Sequence, residues 1–238
     1  MDRTRPELWV VALGEVEYTE ALALQERVRD ARQAGIVPDV MLLLEHSRVY
    51  TRGRRSAPGE LSMGEEWYRA RGIEIVEVNR GGKITYHGPG QLVGYPIVAV
   101  DDVVEYVRTL ERGLVDALGR QGVQARARPQ DGPDYTGVWV QDRKIASIGV
   151  HVARGVTTHG FAVNVDNDLE PFGWVVACGL PGVTMTSIAA ELGGAGDEAM
   201  RCFSRRAAFC VAEALGHRQR LVSRARLEQA VAGAALTV

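Results

Sequence analysis

The sequence predicts one α+β domain with a mixed, largely antiparallel sheet flanked by helices. Three observations carry that expectation. Helical periodicities stand near the start, middle and end of the chain, strand-like runs are grouped between them, and no internal repeat interrupts the pattern. A chain of 238 residues with 46% hydrophobic and 24% charged content holds enough apolar surface for a substantial core and lacks the composition of disorder.

Leu8 to Leu13 is an apolar run of strand length, and from Tyr18 to Ala34 apolar residues recur at helical spacing (Ala21, Leu24, Val28, Ala31) until Gly35. Val40 to Leu44 predicts a second strand. Arg48 to Gly59, with Gly, Pro and four arginines, predicts a loop, and Ile73 to Val78 alternates apolar with acidic residues as a half-buried strand does. Gly81 to His87 and Leu92 to Val98 predict strands around a turn at His87-Gly88-Pro89-Gly90. Asp102 is placed to cap a helix, with Glu105 three residues on. Val103, Val107, Leu110, Leu114 and Leu118 form its apolar stripe as far as Gly122.

Val123 to Val165 is strand-rich, with a hairpin from Trp139 to Ile145 whose tip is polar. Asp197 is placed to cap a helix with the stripe Met200, Phe203, Ala207, Cys210 and Val211, and Ser223 to start a last one. A composition break at Gly193 to Asp197 divides residues 1–192, which carry the motifs, from 193–238, a helical region expected to pack on the same domain.

A net charge of -2 spread over mixed signs gives no global attraction to nucleic acid. No apolar stretch reaches signal-peptide or bilayer-spanning length, so no membrane role and a cytoplasmic location are expected. Three cysteines, an odd number, fit a reducing compartment. No zinc-like spacing of Cys and His exists, so no metal is expected.

Several residues could carry chemistry. In Arg80 to Gln91, glycines either let a backbone approach a ligand closely or serve a tight hairpin; the spacing is not that of a Walker phosphate loop. Cys178 stands where an apolar run meets a Gly/Pro turn, either a nucleophile beside free N–H groups or a buried small hydrophobe. Cys210 falls on an apolar stripe and reads as core; Cys202, beside Arg201 and a turn from Arg205 and Arg206, reads as a surface thiol. Lys144 follows a polar hairpin tip, either as a solvated charge or as a lysine projecting into a cleft. His87 and His159 each precede Gly and are placed either to contact substrate or to serve structure, while His217 at a helix end reads as capping.

Taken together, RGGKITYHGPGQLVGYPI (Arg80 to Ile97), RKIASIGVHVARGVTTHGFAVNV (Arg143 to Val165) and CGLPGVTMTSI (Cys178 to Ile188) resemble, in order, the lipoyl(octanoyl) transferase family, also called lipoate-protein ligase B. HSRVYTRGRRSA is similar to that family's N-terminal loop, and nothing after about Gly193 is diagnostic. The resemblance implies the biotin/lipoate protein ligase-like fold. It implies transfer of an octanoyl or lipoyl group from acyl carrier protein to one lysine of a lipoyl-accepting domain, in endogenous lipoate biosynthesis. The acceptors would be the lipoyl domains of 2-oxoacid dehydrogenase complexes and the glycine cleavage H protein.

By the same resemblance Cys178 carries the acyl-thioester and Lys144 its proton. The acyl site is Arg80, Gly81, Gly82, Lys83, Ile84, Thr85, Tyr86, His87, Ser147, Ile148, Gly149, Gly160, Phe161 and Ala162, with His159 auxiliary. In the second half of the transfer Lys144, or a relayed partner such as His87, would take a proton from the incoming amine. No cofactor and no ATP are implied, since the donor is already activated. An eight-carbon tail calls for an apolar tunnel, at roughly 0.8 kcal/mol per buried methylene, with Gly82, Gly149 and Gly160 expected to leave room for it. Two other readings stand: an ATP-dependent lipoate or biotin ligase, whose Gly/Arg adenylate loop Arg52-Gly53-Arg54-Arg55 resembles, and a non-catalytic module binding carrier or lipoyl domains. A monomer is expected, because no coiled-coil heptad or spare apolar helix face remains.

Overall fold

Alternation along the first strand decides the layering. Leu8 and Val10 face one side of a sheet and Trp9 and Val11 the other, all four buried, so both faces of the sheet need cover. The structure, a computed structural model, describes residues 4–57, 59–175, 182–194, 196 and 198–234. The elements run β1 (Glu7–Glu15), α1 (Tyr18–Gln33), β2 (Asp39–Glu45), β3 (Val49–Arg52), α2 (Glu65–Arg69), β4 (Glu74–Glu77), β5 (Thr85–His87), β6 (Gln91–Ile97), α3 (Val103–Gln121), β7 (Arg126–Ala127), β8 (Gly137–Val140), β9 (Arg143–Ala153), β10 (Val156–Asn164), β11 (Thr184–Met185), α4 (Ile188–Leu192), α5 (Ala199–Ala214), β12 (Arg218–Leu221) and α6 (Arg224–Ala234).

The large sheet has the order β12-β1-β2-β6-β10-β9-β8-β7, with β11 beside the start of β9. Its first two ladders are parallel and the rest of that path antiparallel. Helices α3 and α5 cover one face through Leu110, Leu114, Phe203 and Val211; α1 and α6 cover the other through Leu24, Val28, Leu227 and Val231. A small sheet, β4-β3-β5, closes over Tyr50, Tyr68, Ile84, Tyr86 and Phe172. No helix among the described residues is long and apolar enough to cross a membrane.

The capping chemistry of α3 matches its sequence. Asp102 accepts from Val104 N at 2.8 Å and Glu105 N at 3.1 Å, and Gly122 closes the helix at φ 95°. Val103 and Val107, expected in its buried stripe, lie instead at the mouth of a cavity. The predicted loop Arg48 to Gly59 contains β3. Val49 to Arg52 is a strand because it pairs with β4 on one side and its first three residues with β5 on the other, neighbours that local composition cannot reveal. The predicted strand Gly81 to His87 shortens to β5, with a turn before it.

The region after Gly193 also holds a strand, β12, which extends the large sheet parallel to β1. Its sequence, Arg-Gln-Arg-Leu, has no apolar alternation to announce it. Helix α5 starts after Glu198; Asp197, its expected cap, lies outside the described residues.

His217 links this edge to the body of the sheet. Its Nδ1 lies 2.8 Å from Leu215 O and its Nε2 2.7 Å from Asp39 Oδ2, while Arg32 Nε donates to Asp39 Oδ1 at 2.5 Å. A carbonyl and a carboxylate can only accept, so the ring facing both carries two protons. Burial pulls the His217 pKa down, but the bonds to Asp39 and Leu215 and the Asp39 charge outweigh it and raise it above 6.5. Burial raises Asp39, and His217 and Arg32 outweigh that, so its pKa is lowered from 3.8.

The signs differ for the two groups. The His217 contribution is complete below about pH 6.5 and is lost as pH rises through its raised folded value; the Asp39 contribution is present above about pH 3.8 and lost in acid. Denaturant melts of His217→Gln should therefore lie below wild type by roughly 1–2 kcal/mol at pH 5.5, the scale of a half-buried charge-assisted bond, and by less at pH 8.5. An equal gap at both pH values would mean that the ring is not charged in the fold.

Candidate active site

The site grows from a close crossing of backbones. On the floor, β9 and β10 pair with Gly149 opposite Gly160. The chain before β5 lies across this pair: Gly81 N donates to Val150 O at 2.9 Å, and a Cβ on Gly149 would stand 3.0 Å from Gly81 O. Glycine is therefore needed at 149 because another backbone occupies the space. A Cβ on Gly160 would meet Gly94 O at 2.3 Å. At these two glycines the direction of a side chain is taken up by protein, while the glycines themselves line the cavity, as Gly82 does.

Beside the crossing opens a cavity of about 430 Å³, within the roughly 300–1,000 Å³ usual for small-molecule sites. One wall is Arg80, Gly81, Gly82, Lys83, Ile84, Thr85 and His87; the floor is Ser147 to Val150 and His159 to Ala162; the far lip is Val103, Val104, Val107 and Arg108 with Pro133, Asp134 and Thr136. Glu111 ties that lip together, accepting from Arg108 at 2.6 Å and from Gly137 N at 2.9 Å.

Of the acyl-site residues expected from sequence, Tyr86 is the one that does not line the cavity. Strand alternation puts Thr85 and His87 on one face of β5 and Tyr86 on the other, where its ring packs 5.5 Å from Tyr50 and 5.4 Å from Phe172.

Lys144 lines the cavity and is 2% exposed, so it is not a solvated hairpin charge. Its Nζ stands 5.3 Å from the centroid of Trp139, and among the described residues it has no ion-pair partner. Cys178 lies outside the described residues. The chain after it is anchored to Lys144, because β11 pairs Met185 with Lys144 and Thr186 N donates to Lys144 O at 2.9 Å.

Arg80 sets the local electrostatics. Its guanidinium donates to Thr51 O at 2.7 Å, to Thr51 Oγ1 at 2.6 Å and to Gly81 O at 3.0 Å. Burial, then Arg80 and His151, pushes His159 down to about 3; burial, then the neighbouring cations and histidines, holds His87 well below 6.5. Burial takes His46 to about 4. All three rings are neutral at pH 7.

His159 adopts φ 58°, strained for a side chain this large, and is held there by Gln25, whose Oε1 accepts its backbone N–H at 2.7 Å. Among the described residues that line the cavity the one carboxylate is Asp134, paired with Arg55 at 3.1 Å.

Tyr18, Tyr95, Arg55, Arg108 and the α3 lip belong to this cavity without having been expected there. One sequence signal was available: the chain has only two lysines, Lys83 and Lys144, and both line the cavity. Among the described residues no group of His, Cys, Asp and Glu is arranged to hold a metal ion.

Residues 17–204 match the family described as the lipoyl protein ligase A/B catalytic domain. The chain is 45% identical over 201 residues to an octanoyltransferase of Solibacter usitatus, covering 81% of this chain and 90% of that one. Its fold is similar to that of a lipoate-protein ligase A bound with ATP, with a TM-score of 0.73 at 16% identity over 97% of this chain and 95% of that one. A biotin protein ligase from Aquifex aeolicus matches with a TM-score of 0.51 at 13% identity, over 87% and 68%.

The described thiols stand apart from the cavity. Cys210 is buried in the α5 core and its thiol is pushed up to about 12, first by burial and then by Asp116; Cys202 is exposed. Under native conditions a maleimide should label Cys202 and leave Cys210 untouched until the chain unfolds. Cys210→Ala should cost roughly 1–2 kcal/mol in denaturant melts, while Cys202→Ser stays within about 0.5 kcal/mol. Native labelling of Cys210 would show that its helix face is open.

Proposed function

Because this chain belongs to the lipoyl protein ligase A/B catalytic domain family, we propose that it transfers an octanoyl group from acyl carrier protein to a lysine of a lipoyl-accepting domain. The group passes through a thioester on Cys178, with Lys144 as the proton partner. The observation that carries this reading is Lys144: a buried lysine lining the cavity, with its backbone paired to the strand within the Cys178 motif.

Chemically, the intermediate must form by attack on a thioester and leave under attack by an amine, and a thiolate serves as both nucleophile and leaving group. Lys144 takes the Cys178 proton; the thiolate attacks the donor carbonyl, the carbon–sulfur bond to pantetheine breaks, and the departing thiol recovers that proton from Lys144. The acyl tail rests against Ile84, Ile148, Val150, Phe161 and Ala162, with Val103 and Val107 at the lip. Arg80 and Lys83, facing the same space, favour negative charge developing on the carbonyl oxygen. ATP has no part, because the donor thioester supplies the activation.

Acyl carrier protein is acidic, and the arginines of the two loops at Arg48 to Arg55 and Arg126 to Arg128 are candidates to steer it. Arg52 is held by Glu65, Arg55 by Asp134 and Arg128 by Asp131 and Asp142. Arg48, Arg54 and Arg126 are exposed and form no ion pair among the described residues, which leaves them available to a partner.

Mixed with octanoyl carrier protein and no acceptor, the protein should gain the mass of one octanoyl group, mapped to Cys178, and Cys178→Ala should gain none. Transfer from free octanoate with ATP in place of the carrier would overturn the proposal in favour of a ligase. Lys144→Met should acylate about 10²- to 10⁴-fold more slowly, and Lys144→Arg should rescue little, since guanidinium does not give up its proton. Wild-type rates in Lys144→Arg would reduce the lysine to a fixed charge. Arg54→Glu should lower the association rate and flatten its salt dependence; an unaltered salt dependence removes this arginine from docking.

A further inference from the structure

Two carbonyl oxygens settle the direction of a buried hydrogen-bond chain that starts on the cavity wall. Thr186 O lies 2.9 Å from the side-chain amide of Asn164, so that end is Nδ2, and Asn164 Oδ1 faces Gln91 Nε2 at 2.9 Å. Tyr86 O lies 3.2 Å from the same Gln91 nitrogen, which independently requires that orientation. Gln91 Oε1 is left for His87 Nδ1, 2.7 Å away. An amide oxygen only accepts, so Nδ1 carries the ring proton and Nε2 is bare. Gln91 is 2% and Asn164 1% exposed, so neither amide can be replaced in its role by bulk water. His87 lines the cavity, and its Nε2 has no partner among the described residues.

We propose that His87 Nε2 accepts a hydrogen bond from the primary amine that attacks the acyl-thioester, and that Gln91 and Asn164 are positioning residues that keep this lone pair available. The inference rests on the octanoyl-transfer reading above and adds to it the group that orients the second nucleophile. Around the ring stand Arg80 from the crossing loop, His46 from the end of β2, His159 from β10 and Tyr18 from α1, whose ring stacks on it at 6.0 Å. Among the described residues no carboxylate acts on it. Gln91 holds the tautomer without adding negative charge, whereas a carboxylate there would favour an imidazolium and remove the lone pair.

The cations Arg80 and Lys83 on the cavity wall likewise oppose entry of a charged ammonium and favour the neutral amine. That amine donates one N–H to His87 Nε2 and aims its own lone pair at the acyl carbon. The new carbon–nitrogen bond forms, the carbon–sulfur bond breaks with its electron pair passing to Cys178 sulfur, and the nitrogen's surplus proton ends on that sulfur.

The test separates the two half-reactions in single turnovers of the full chain. Octanoyl carrier protein loads the enzyme, and an apo lipoyl domain or hydroxylamine then unloads it. His87→Phe should slow transfer to the lipoyl domain about a hundredfold, the scale of a misplaced nucleophile. Gln91→Leu should slow it roughly tenfold, as loss of one hydrogen bond does. Both variants should slow loading far less than transfer, and unloading by excess hydroxylamine, which needs no orientation, should change little. His87→Gln, which returns an acceptor oxygen, should recover part of the lost rate.

Equal slowing of loading and transfer, or transfer at the wild-type rate in His87→Phe, would overturn the role of His87. Failure of the wild-type chain to load at all sinks the octanoyl-transfer reading itself and this inference with it.

Discussion

Arg80 carries a full positive charge in a position almost removed from water, and a buried cation is tolerated only where acceptors surround it. Thr51 supplies its carbonyl and its hydroxyl, and Gly81 its carbonyl. Those acceptors belong to β3 of the small sheet and to the loop that lies on β9 of the large one. The guanidinium therefore fastens this loop to β3, the Gly81 N–H fastens it to Val150 of β9, and the cavity is the space left beside the joint.

The same charge shapes the chemistry of the space. Burial is the main reason that His87 and His159 stay neutral, and Arg80 adds to it in both. A wall of neutral imidazoles and fixed cations suits a reaction whose nucleophiles are a thiolate and an uncharged amine, since one is stabilised by cations and the other is freed by them. The polar groups are held by one another through buried amides, so the geometry is paid for in folding and costs little at the moment of reaction.

The α3 lip shows how one element serves both core and site. Leu110 and Leu114 bury themselves against α5 and the sheet, while Val103 and Val104, about two to three turns earlier, sit exposed at the cavity mouth, Val104 at 68%. The Asp102 cap fixes where the helix begins, and so fixes which valines reach the mouth. Glu111, buried in mid-helix, joins this lip to Gly137 at the start of β8, in the same hairpin as Lys144.

By itself the sequence determined the elements whose signals are local: the apolar run of β1, the capped α3, the turn at His87-Gly88-Pro89-Gly90, the stripe of α5. It also marked the blocks Arg80 to Ile97 and Arg143 to Val165, which supply about two thirds of the described cavity lining. What only the tertiary structure decided rests on partners far along the chain. β3 is a strand because residues about twenty-five to forty positions away pair with it, and β12 because β1 does. Lys144 is buried because β8, β11 and the α3 lip enclose the hairpin, and the tautomer of His87 follows from a carbonyl at Thr186. Periodicity and capping report on neighbours within a turn or a ladder step; a buried charge or a bare ring nitrogen is defined by whatever the fold brings against it, and no local pattern encodes that.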